Sequence, residues 1–143
     1  MPSIRNLAVG LPLKDGCILV SQGVDRVRGL HFVRALGGGI EFGETAEAAL
    51  HREFHEELGC RIDSAQLLGV LENIFEYEGM PGHEIVHVFS VDSAELAALP
   101  IDVELRVLDE GSPVRWVPVN ELLQGQPPLF PDGALRLVPR ETR

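Results

Sequence analysis

The sequence predicts an α+β sandwich that combines one sheet with a few helices. Short segments rich in Val, Ile, Leu and Phe, each bounded by Gly, Pro or Asp, are typical of strands. One longer stretch, residues 45–58, has the period of a helix instead. Strands and helices do not alternate regularly, as they do in doubly wound folds, and this favours the α+β class. The predicted strands are residues 4–9, 17–21, 31–36, 67–77, 84–91 and 114–119.

The clearest strand alternation lies in residues 84–91. Ile85, His87, Phe89 and Val91 occupy one face of this strand, and the residues between them occupy the other. His87 therefore lies among apolar side chains. We expect a hydrogen-bonded core histidine there, with a functional histidine as the alternative.

The helical stretch has recognisable ends. Thr45 is suited to the N-cap position, and Gly59 is suited to the left-handed residue that follows a helix. One face of the predicted helix is an apolar stripe formed by Leu50, Phe54 and Leu58. A second, shorter helix is predicted around residues 120–123, and a helical turn is predicted within residues 94–99.

The charge of the chain excludes one class of partner. There are 22 acidic and 12 basic residues, and the formal net charge is -10. Binding to a nucleic-acid polymer needs a broad basic surface, so we expect none. A small polyanionic substrate would need a divalent cation or a local cluster of arginines to reverse the field at its site.

The remaining composition predicts a cytoplasmic protein. Cys17 and Cys60 are too few for a disulfide framework, and the first ten residues lack the basic-then-apolar pattern of a secretory signal. No uncharged apolar run approaches the roughly 18 residues that span a membrane. Because neither a repeat nor a flexible linker is present, we expect residues 1–143 to form one domain.

Three glutamates crowd the predicted helix. Glu53, Glu56 and Glu57 lie next to the apolar stripe, where like charges three and four residues apart cost roughly a few tenths of a kcal/mol each. A hard divalent cation such as Mg²⁺ would offset this repulsion, because it prefers carboxylate oxygens. A solvated acidic face is the alternative. Residues 37–44, directly before the helix, are predicted to form a glycine-dense loop, which favours the metal site because its backbone can approach a ligand closely.

The spacing of these residues resembles the signature of the Nudix hydrolases. Gly38 is followed after five residues by Glu44, and after seven more by residues 52–60, REFHEELGC. Every fixed residue type of the signature is present. Leu36 stands where the family commonly has proline.

The resemblance implies a fold, a reaction and a metal. The fold is an α/β/α sandwich in which helices flank a mixed sheet. The reaction is hydrolysis of the pyrophosphate bond, an acid anhydride, in a nucleoside diphosphate linked to another group. The cofactor is Mg²⁺, with Mn²⁺ as the alternative. The implied metal ligands are Glu53, Glu56, Glu57 and the carbonyl of Gly37.

The resemblance also implies catalytic roles. Arg52 would orient one of the helix glutamates through a charge-assisted hydrogen bond, and Glu44 would tie the loop to the helix or act through a metal-bound water. Glu53 is our first choice for the group that accepts the proton of the attacking water. Glu104 and Glu110 are the alternatives from a later segment, and the surface-residue hypothesis stays open for both.

The substrate depends on residues outside the signature. Tyr77 lies 17 residues after Cys60, which resembles the spacing of a base-stacking tyrosine in dinucleoside polyphosphate hydrolases of the family. Arg34, with Arg26 and Arg28, forms the one concentration of positive charge and is a candidate phosphate ligand. A role in packing for Tyr77 and a solvent-exposed role for the arginines are the alternatives.

Several functional alternatives stay open. The resemblance implies a small nucleotide substrate, either a dinucleoside polyphosphate, a nucleoside triphosphate or a nucleotide sugar. The rival function is a catalytically inactive Nudix-fold module that senses a nucleotide or binds a protein. The resemblance also allows a homodimer.

Overall fold

The computed structural model describes residues 2–140, so the ends of the predicted domain at residues 1 and 141–143 lie outside the described residues. Strands and helices are both present, as expected for the α+β class. The strands are β1 (Ile4–Lys14), β2 (Cys17–Asp25), β3 (Leu30–Gly39), β4 (Ser64–Tyr77), β5 (Met80–Asp92), β6 (Leu105–Arg106), β7 (Pro113–Pro118) and β8 (Leu129–Phe130). The helices are α1 (Ala46–Leu58), α2 (Ala94–Ala97), α3 (Val119–Leu123) and α4 (Ala134–Leu137).

The strands follow one another in the order β4-β5-β1-β3-β2-β7-β6, and β8 pairs with β3. Pairing is parallel between β1 and β5 and between β3 and β8, and antiparallel elsewhere. The sheet is therefore mixed, which confirms the predicted architecture. Strand β3 divides it into two halves, because residues 36–39 pair with β1 and residues 30–35 pair with β2.

Two apolar cores separate the sheet from its helices. The first core joins Val86 and Val88 of β5 to Val20 and Val33 of the other half, and α3 and α4 add residues to it. The second core lies beneath α1 and includes Trp116 of β7 and Leu96 of α2. Helices α3 and α4 therefore pack on the first core and α1 and α2 on the second, as the α/β/α sandwich requires.

Helix α1 forms as its end signals predict. The side chain of Thr45 accepts a hydrogen bond from the Ala48 backbone N–H at 3.1 Å. At the other end Gly59 has φ 66°, in the left-handed region that favours glycine. Leu50 and Phe54 of the apolar stripe are buried, whereas Leu58 is half-buried.

The strands are longer than their apolar segments. Strands β4 and β5 pair from Ser64 opposite Asp92 to Tyr77 opposite Met80, with one irregularity between Leu67 and Gly69. The glycine segment also differs from the predicted loop, because Gly37–Gly39 continue β3 and pair with β1. Three elements, β6, β8 and α4, were not predicted, because two to four residues are too few to show a period.

The expectation for His87 was wrong in one respect. His87 lies on β5, opposite Ala8 of β1 and Val70 of β4, and it is half-buried. Its Nδ1 atom is buried without a hydrogen-bond partner among residues 2–140. The predicted hydrogen-bonded core histidine is therefore not what the fold provides.

None of the helices within residues 2–140 has the length and apolar character needed to cross a membrane.

Phe54 tests how far α1 depends on the second core. Its side chain is 1% exposed, and a Cβ added at Gly10 would lie 3.0 Å from the Phe54 ring. We expect Phe54→Ala to lower the free energy of unfolding by about 3–5 kcal/mol, because it leaves a cavity that the sheet cannot fill. Urea unfolding measures this. Leu123→Ala, at a side chain that is 51% exposed, is the control and should change stability little; an equal loss in both variants would contradict the assignment.

Candidate active site

The acidic face of α1 lies directly against the glycines at the end of β3. A Cβ at Gly38 would lie 2.5 Å from the carboxyl carbon of Glu53, so a larger residue would require this carboxylate to move. Gly37 has φ 147°, and a Cβ there would lie 2.1 Å from the Ala8 carbonyl oxygen. Gly37 therefore allows the close approach of β3 to the backbone of β1, and Gly38 leaves room for the Glu53 carboxylate of the helix.

Arg52 connects the helix, the loop and the strand. Its Nε donates to Glu44 Oε2 at 2.7 Å and its Nη2 donates to Glu44 Oε1 at 2.9 Å, in a bidentate pair. Nη2 also donates to the Gly39 carbonyl at 2.9 Å. Nη1 donates to Glu53 at 2.9 Å and to Glu56 at 3.3 Å. One guanidinium thus holds the loop carboxylate on one side and two helix carboxylates on the other.

This network shifts the pKa of both partners. The hydrogen bond from Arg52, with a second from the Glu41 backbone N–H, lowers the pKa of Glu44 to about 2 from its usual 4.5. The hydrogen bond to Glu44 in turn raises the pKa of Arg52. Both groups therefore stay charged over the whole physiological range.

Glu57 lies in a different environment. Burial, followed by the negative charge of Glu53 and of Asp109, raises the pKa of Glu57 to about 8 from its usual 4.5. Glu110 contributes in the same direction. The segment that carries these two acids is attached to the helix, because the Leu108 backbone N–H donates to the Glu57 carbonyl at 2.8 Å. The acidic site therefore extends from α1 into the segment between β6 and β7.

The donor chemistry of this region fits a hard divalent cation. Within the described range, no three His, Cys, Asp or Glu side chains are already arranged to hold a metal ion. The donors are nevertheless all oxygens, and the half-buried Glu57 carboxyl is in a field that favours an added positive charge. Glu53, Glu56 and Glu57 are brought to one face of α1, and the Gly37 carbonyl belongs to the adjacent strand.

A cleft of about 750 Å³ begins at these glycines and runs between the two halves of the sheet. Gly37 and Gly38 line one part of it, and Leu30, at the opposite end of β3, also lines it. The volume is in the range of small-molecule sites. The cleft therefore connects the acidic region with the far end of β3.

Aromatic side chains gather in this cleft. The ring of Phe32, which is 6% exposed, meets Tyr77 edge-to-face at 5.9 Å and Phe130 at 5.4 Å between centroids. Phe75 also lines the cleft and lies across Gly82, where a Cβ would come within 2.4 Å of its ring. The hydroxyl of Tyr77 donates to the Val24 carbonyl at 3.1 Å. Tyr77 is thus part of the packing as well as of the cleft wall.

The three predicted arginines take different positions. The guanidinium of Arg34 lies 5.3 Å from the centre of the Phe32 ring and lines the cleft, and it forms no ion pair with any described residue. Arg28 also lines the cleft but pairs with Glu76 at 3.6 Å. Arg26 does not line it. Of the three, Arg34 is the one that lines the cleft without an ion pair to a described residue.

Some functional residues were missed or misplaced by sequence reasoning. Asp109 was not predicted, although it directly precedes Glu110 before a glycine, a pattern that marks an acidic turn. Phe32 and Phe130 were also missed, because their contact depends on the pairing of β3 with β8. Glu104 is exposed, and it has no side-chain hydrogen bond or ion pair within the part of the chain that the structure describes.

The chain is similar to known proteins both in sequence and in fold. A family model described as the NUDIX domain matches residues 5–140. The curated MutT4 protein of Mycobacterium tuberculosis is 37% identical over 87 residues, which is 59% of this chain and 32% of that protein. This chain therefore matches only a third of the length of that relative.

Solved structures match over nearly the whole chain. The crystal structure of the MutT NUDIX hydrolase from Burkholderia pseudomallei has a TM-score of 0.67 and 25% identity, and the match covers 96% of this chain and 99% of that one. A NUDIX hydrolase from Nitrosomonas europaea has a TM-score of 0.64 and 19% identity, over 94% and 86% of the two chains. At 19% identity, the second match shows a similar fold and no more.

The ion pair of Glu44 predicts a specific loss of stability in acid. Because its pKa is lowered from 4.5 to about 2, its contribution is complete above pH 4.5 and is lost as the pH falls through 2. We expect wild type to be more stable than Glu44→Gln at pH 6, and the difference to shrink between pH 4.5 and 2. Urea unfolding at a series of pH values, without metal, measures it. Glu47→Gln, at an exposed carboxylate of the same helix, is the control. If the difference in unfolding free energy between wild type and Glu44→Gln does not change with pH, the role of the ion pair is contradicted.

Proposed function

This chain belongs to the Nudix family, and on that premise we propose that it is a metal-dependent hydrolase of a pyrophosphate bond in a small nucleotide. The observation that carries the proposal is the course of the cleft, which joins the glycines beside Glu53 to the aromatic cluster around Phe32. One end is suited to phosphates and a cation, and the other is suited to a base. We further propose that residues 1–143 act as one domain.

The aromatic end supports binding of a nucleobase. Tyr77, Phe75 and Phe130 line the cleft from both halves of the sheet, around the buried Phe32, and stacking on such rings is worth about 1–3 kcal/mol per base. The hydrogen bond of Tyr77 to Val24 fixes its ring without consuming the face. We propose that Tyr77 contributes to the surface on which the base rests.

Arg34 supports binding of the phosphates. Arg34 lies between Phe32 and the glycines along β3, and its guanidinium is 5.3 Å from the centre of the Phe32 ring, a cation–π distance. An arginine with free donors in an acidic protein is a suitable partner for a phosphate oxygen. We propose that Arg34 holds the phosphate that follows the nucleoside.

The metal ligands we propose are Glu53, Glu56, Glu57 and the Gly37 carbonyl. Mg²⁺, or Mn²⁺ in its place, supplies neutralisation of the phosphate charge and activation of water when bound. Arg52 acts from behind these ligands, because its hydrogen bonds to Glu53 and Glu56 fix the direction of both carboxylates. Glu44 holds Arg52 in place through the bidentate pair.

The proton of the attacking water needs an acceptor. Glu53 remains our first choice, since it is the helix carboxylate beside Gly38 at the cleft. Among the later acids, the structure favours Glu110 over Glu104, because Glu110 lies close enough to affect Glu57. Asp109 joins it as a candidate from the same segment.

Activity is the first test. We expect Glu53→Gln to lower kcat by about 100-fold or more, because a carboxylate that binds metal or accepts a proton is lost without a change in size. The assay uses Mg²⁺ and a panel of dinucleoside polyphosphates, nucleoside triphosphates and nucleotide sugars, read out by product identity. Glu47→Gln, on the first turn of the same helix, is the matched control.

The same panel separates the enzyme from the rival function. Unchanged turnover in Glu53→Gln would remove Glu53 from the reaction. Wild type that binds a nucleotide tightly in calorimetry, with and without metal, but cleaves none would favour the nucleotide-sensing module. A size measurement by light scattering decides between the monomer and the homodimer.

Metal binding has a test that does not depend on activity. A ligand at 100 times its Kd stabilises a fold by about 2.7 kcal/mol, so saturating Mg²⁺ should raise the melting temperature of wild type. We expect Glu57→Gln to lose most of this increase, because an amide is a poor replacement for a carboxylate ligand. Glu47→Gln should keep it. An equal increase in wild type and Glu57→Gln would show that Glu57 does not bind the metal.

A further inference from the structure

Asp25, at the end of β2, is a buried carboxylate with an unusual set of partners. Its side chain is 3% exposed, and it accepts hydrogen bonds from three backbone N–H groups. Oδ1 binds the N–H groups of Val27 and Arg28, at 3.0 and 3.1 Å, within its own turn. Oδ2 binds the N–H of Glu78 at 3.0 Å, in the turn between β4 and β5. One carboxylate therefore joins the turns of two hairpins.

Further contacts join the same two turns. Tyr77 Oη donates to the Val24 carbonyl at 3.1 Å, and the Arg26 backbone N–H donates to Glu78 Oε2 at 3.4 Å. Arg28 pairs with Glu76 at 3.6 Å. We call these two segments, residues 24–28 and 76–78, the hairpin clamp. Asp25 is its buried member, and Arg28 and Glu76 are more than half exposed.

The clamp spans the two halves of the sheet. Residues 24–28 belong to the half that contains β2, and residues 76–78 belong to the half that contains β4 and β5. Asp25 is opposite Leu30, at the start of β3, whereas Gly38 lies near its end. Asp25, Leu30 and Gly38 all line the cleft. The halves are therefore joined through β3 beside the acidic site and through the clamp at the opposite end.

The clamp also fixes the aromatic end of the cleft. Tyr77 belongs to the clamp and contacts Phe32 of the other half at 5.9 Å. Glu78 has φ 51°, a left-handed conformation that is uncommon for residues other than glycine, and its N–H is the group that Asp25 binds. Loss of that hydrogen bond would release a strained turn directly next to Tyr77.

We propose that Asp25 is a positioning residue for substrate binding, which sets the spacing between the cleft walls by holding the β4–β5 turn against the β2–β3 turn. This rests on the proposed function, because the cleft is taken to hold the nucleotide. Asp25 acts through Tyr77 and Phe32, and it does not take part in the chemistry at the other end of the cleft.

Asp25→Asn tests the hydrogen bond to Glu78 separately from the hydrogen bonds within the β2–β3 turn. The amide keeps one acceptor oxygen for the turn of β2 and β3, but it places an NH₂ group, a donor, in the position that faces the Glu78 N–H. We expect KM for the best substrate of the panel to rise about tenfold, the equivalent of one charge-assisted hydrogen bond, and kcat to change less than about twofold. Steady-state kinetics with Mg²⁺ measures both.

Asp63→Asn is the matched control. Asp63 also accepts a backbone N–H, from Ala94 at 2.7 Å, and its pKa is lowered mainly by that bond, as the pKa of Asp25 is by the bond from Glu78. Asp63 does not line the cleft. We expect Asp63→Asn to lower the melting temperature and leave KM unchanged. If both variants lose stability and neither changes KM, Asp25 is only structural and the proposal is overturned.

A second variant covers the case in which Asp25→Asn does not fold. Tyr77→Phe keeps the ring and removes only the hydrogen bond to Val24, and we expect about a threefold rise in KM. An unchanged KM in Tyr77→Phe, with Asp25→Asn unfolded, would overturn the proposal.

The role of Asp25 can also be tested if the proposed hydrolase activity is absent. If wild type cleaves none of the panel, calorimetry with ATP and diadenosine tetraphosphate still compares the two proteins. Weaker binding by Asp25→Asn supports the clamp, equal binding overturns it, and no binding by wild type overturns both.

Discussion

The ion pair between Arg52 and Glu44 is the interaction on which the site depends. Three carboxylates on one helix face repel one another, and a planar cation beside them offsets that repulsion and fixes two of the three. Glu44 directs the guanidinium, and the Gly39 carbonyl ties it to the sheet. Because every donor of Arg52 has a defined acceptor, a lysine with its single point charge is not equivalent here. The guanidinium of Arg52 thus holds the loop, the helix and the strand together.

The division of the sheet at β3 places a cleft beside this ion pair. One strand pairs with β1 through its glycines and with β2 through its earlier residues, so a cleft opens between the halves and begins beside the acidic face. Gly38, which leaves room for Glu53, and Gly37, which leaves room for the backbone of β1, both line the cleft. The requirements of backbone packing and of ligand access are therefore met by the same two positions, Gly37 and Gly38. The aromatic cluster lies farther along, where side chains of both halves meet.

Sequence reasoning succeeded where the information is local. Helix α1 has its cap at Thr45, its end at Gly59 and its apolar stripe within one run of residues, so its position and its acidic face were predictable. The bond between Asp25 and Glu78 joins residues 53 apart, and the approach of Asp109 to Glu57 depends on how a later segment returns to the helix. Neither has a periodic signal. His87 shows the same limit, because apolar neighbours predict burial but do not supply a hydrogen-bond partner.

The parallel pairing of β1 with β5 has a consequence for biosynthesis. Ile4 lies opposite His83, so the earliest of the described strands to be made has its neighbour 79 residues away. Such a contact closes a long loop, which slows folding, and until β5 emerges one edge of β1 stays unpaired in the nascent chain. Strands β2 and β3 emerge sooner and can cover its other edge. The order of synthesis thus keeps one edge of an interior strand open until β5 is made, and only afterwards do β7 and β8 add to β2 and β3.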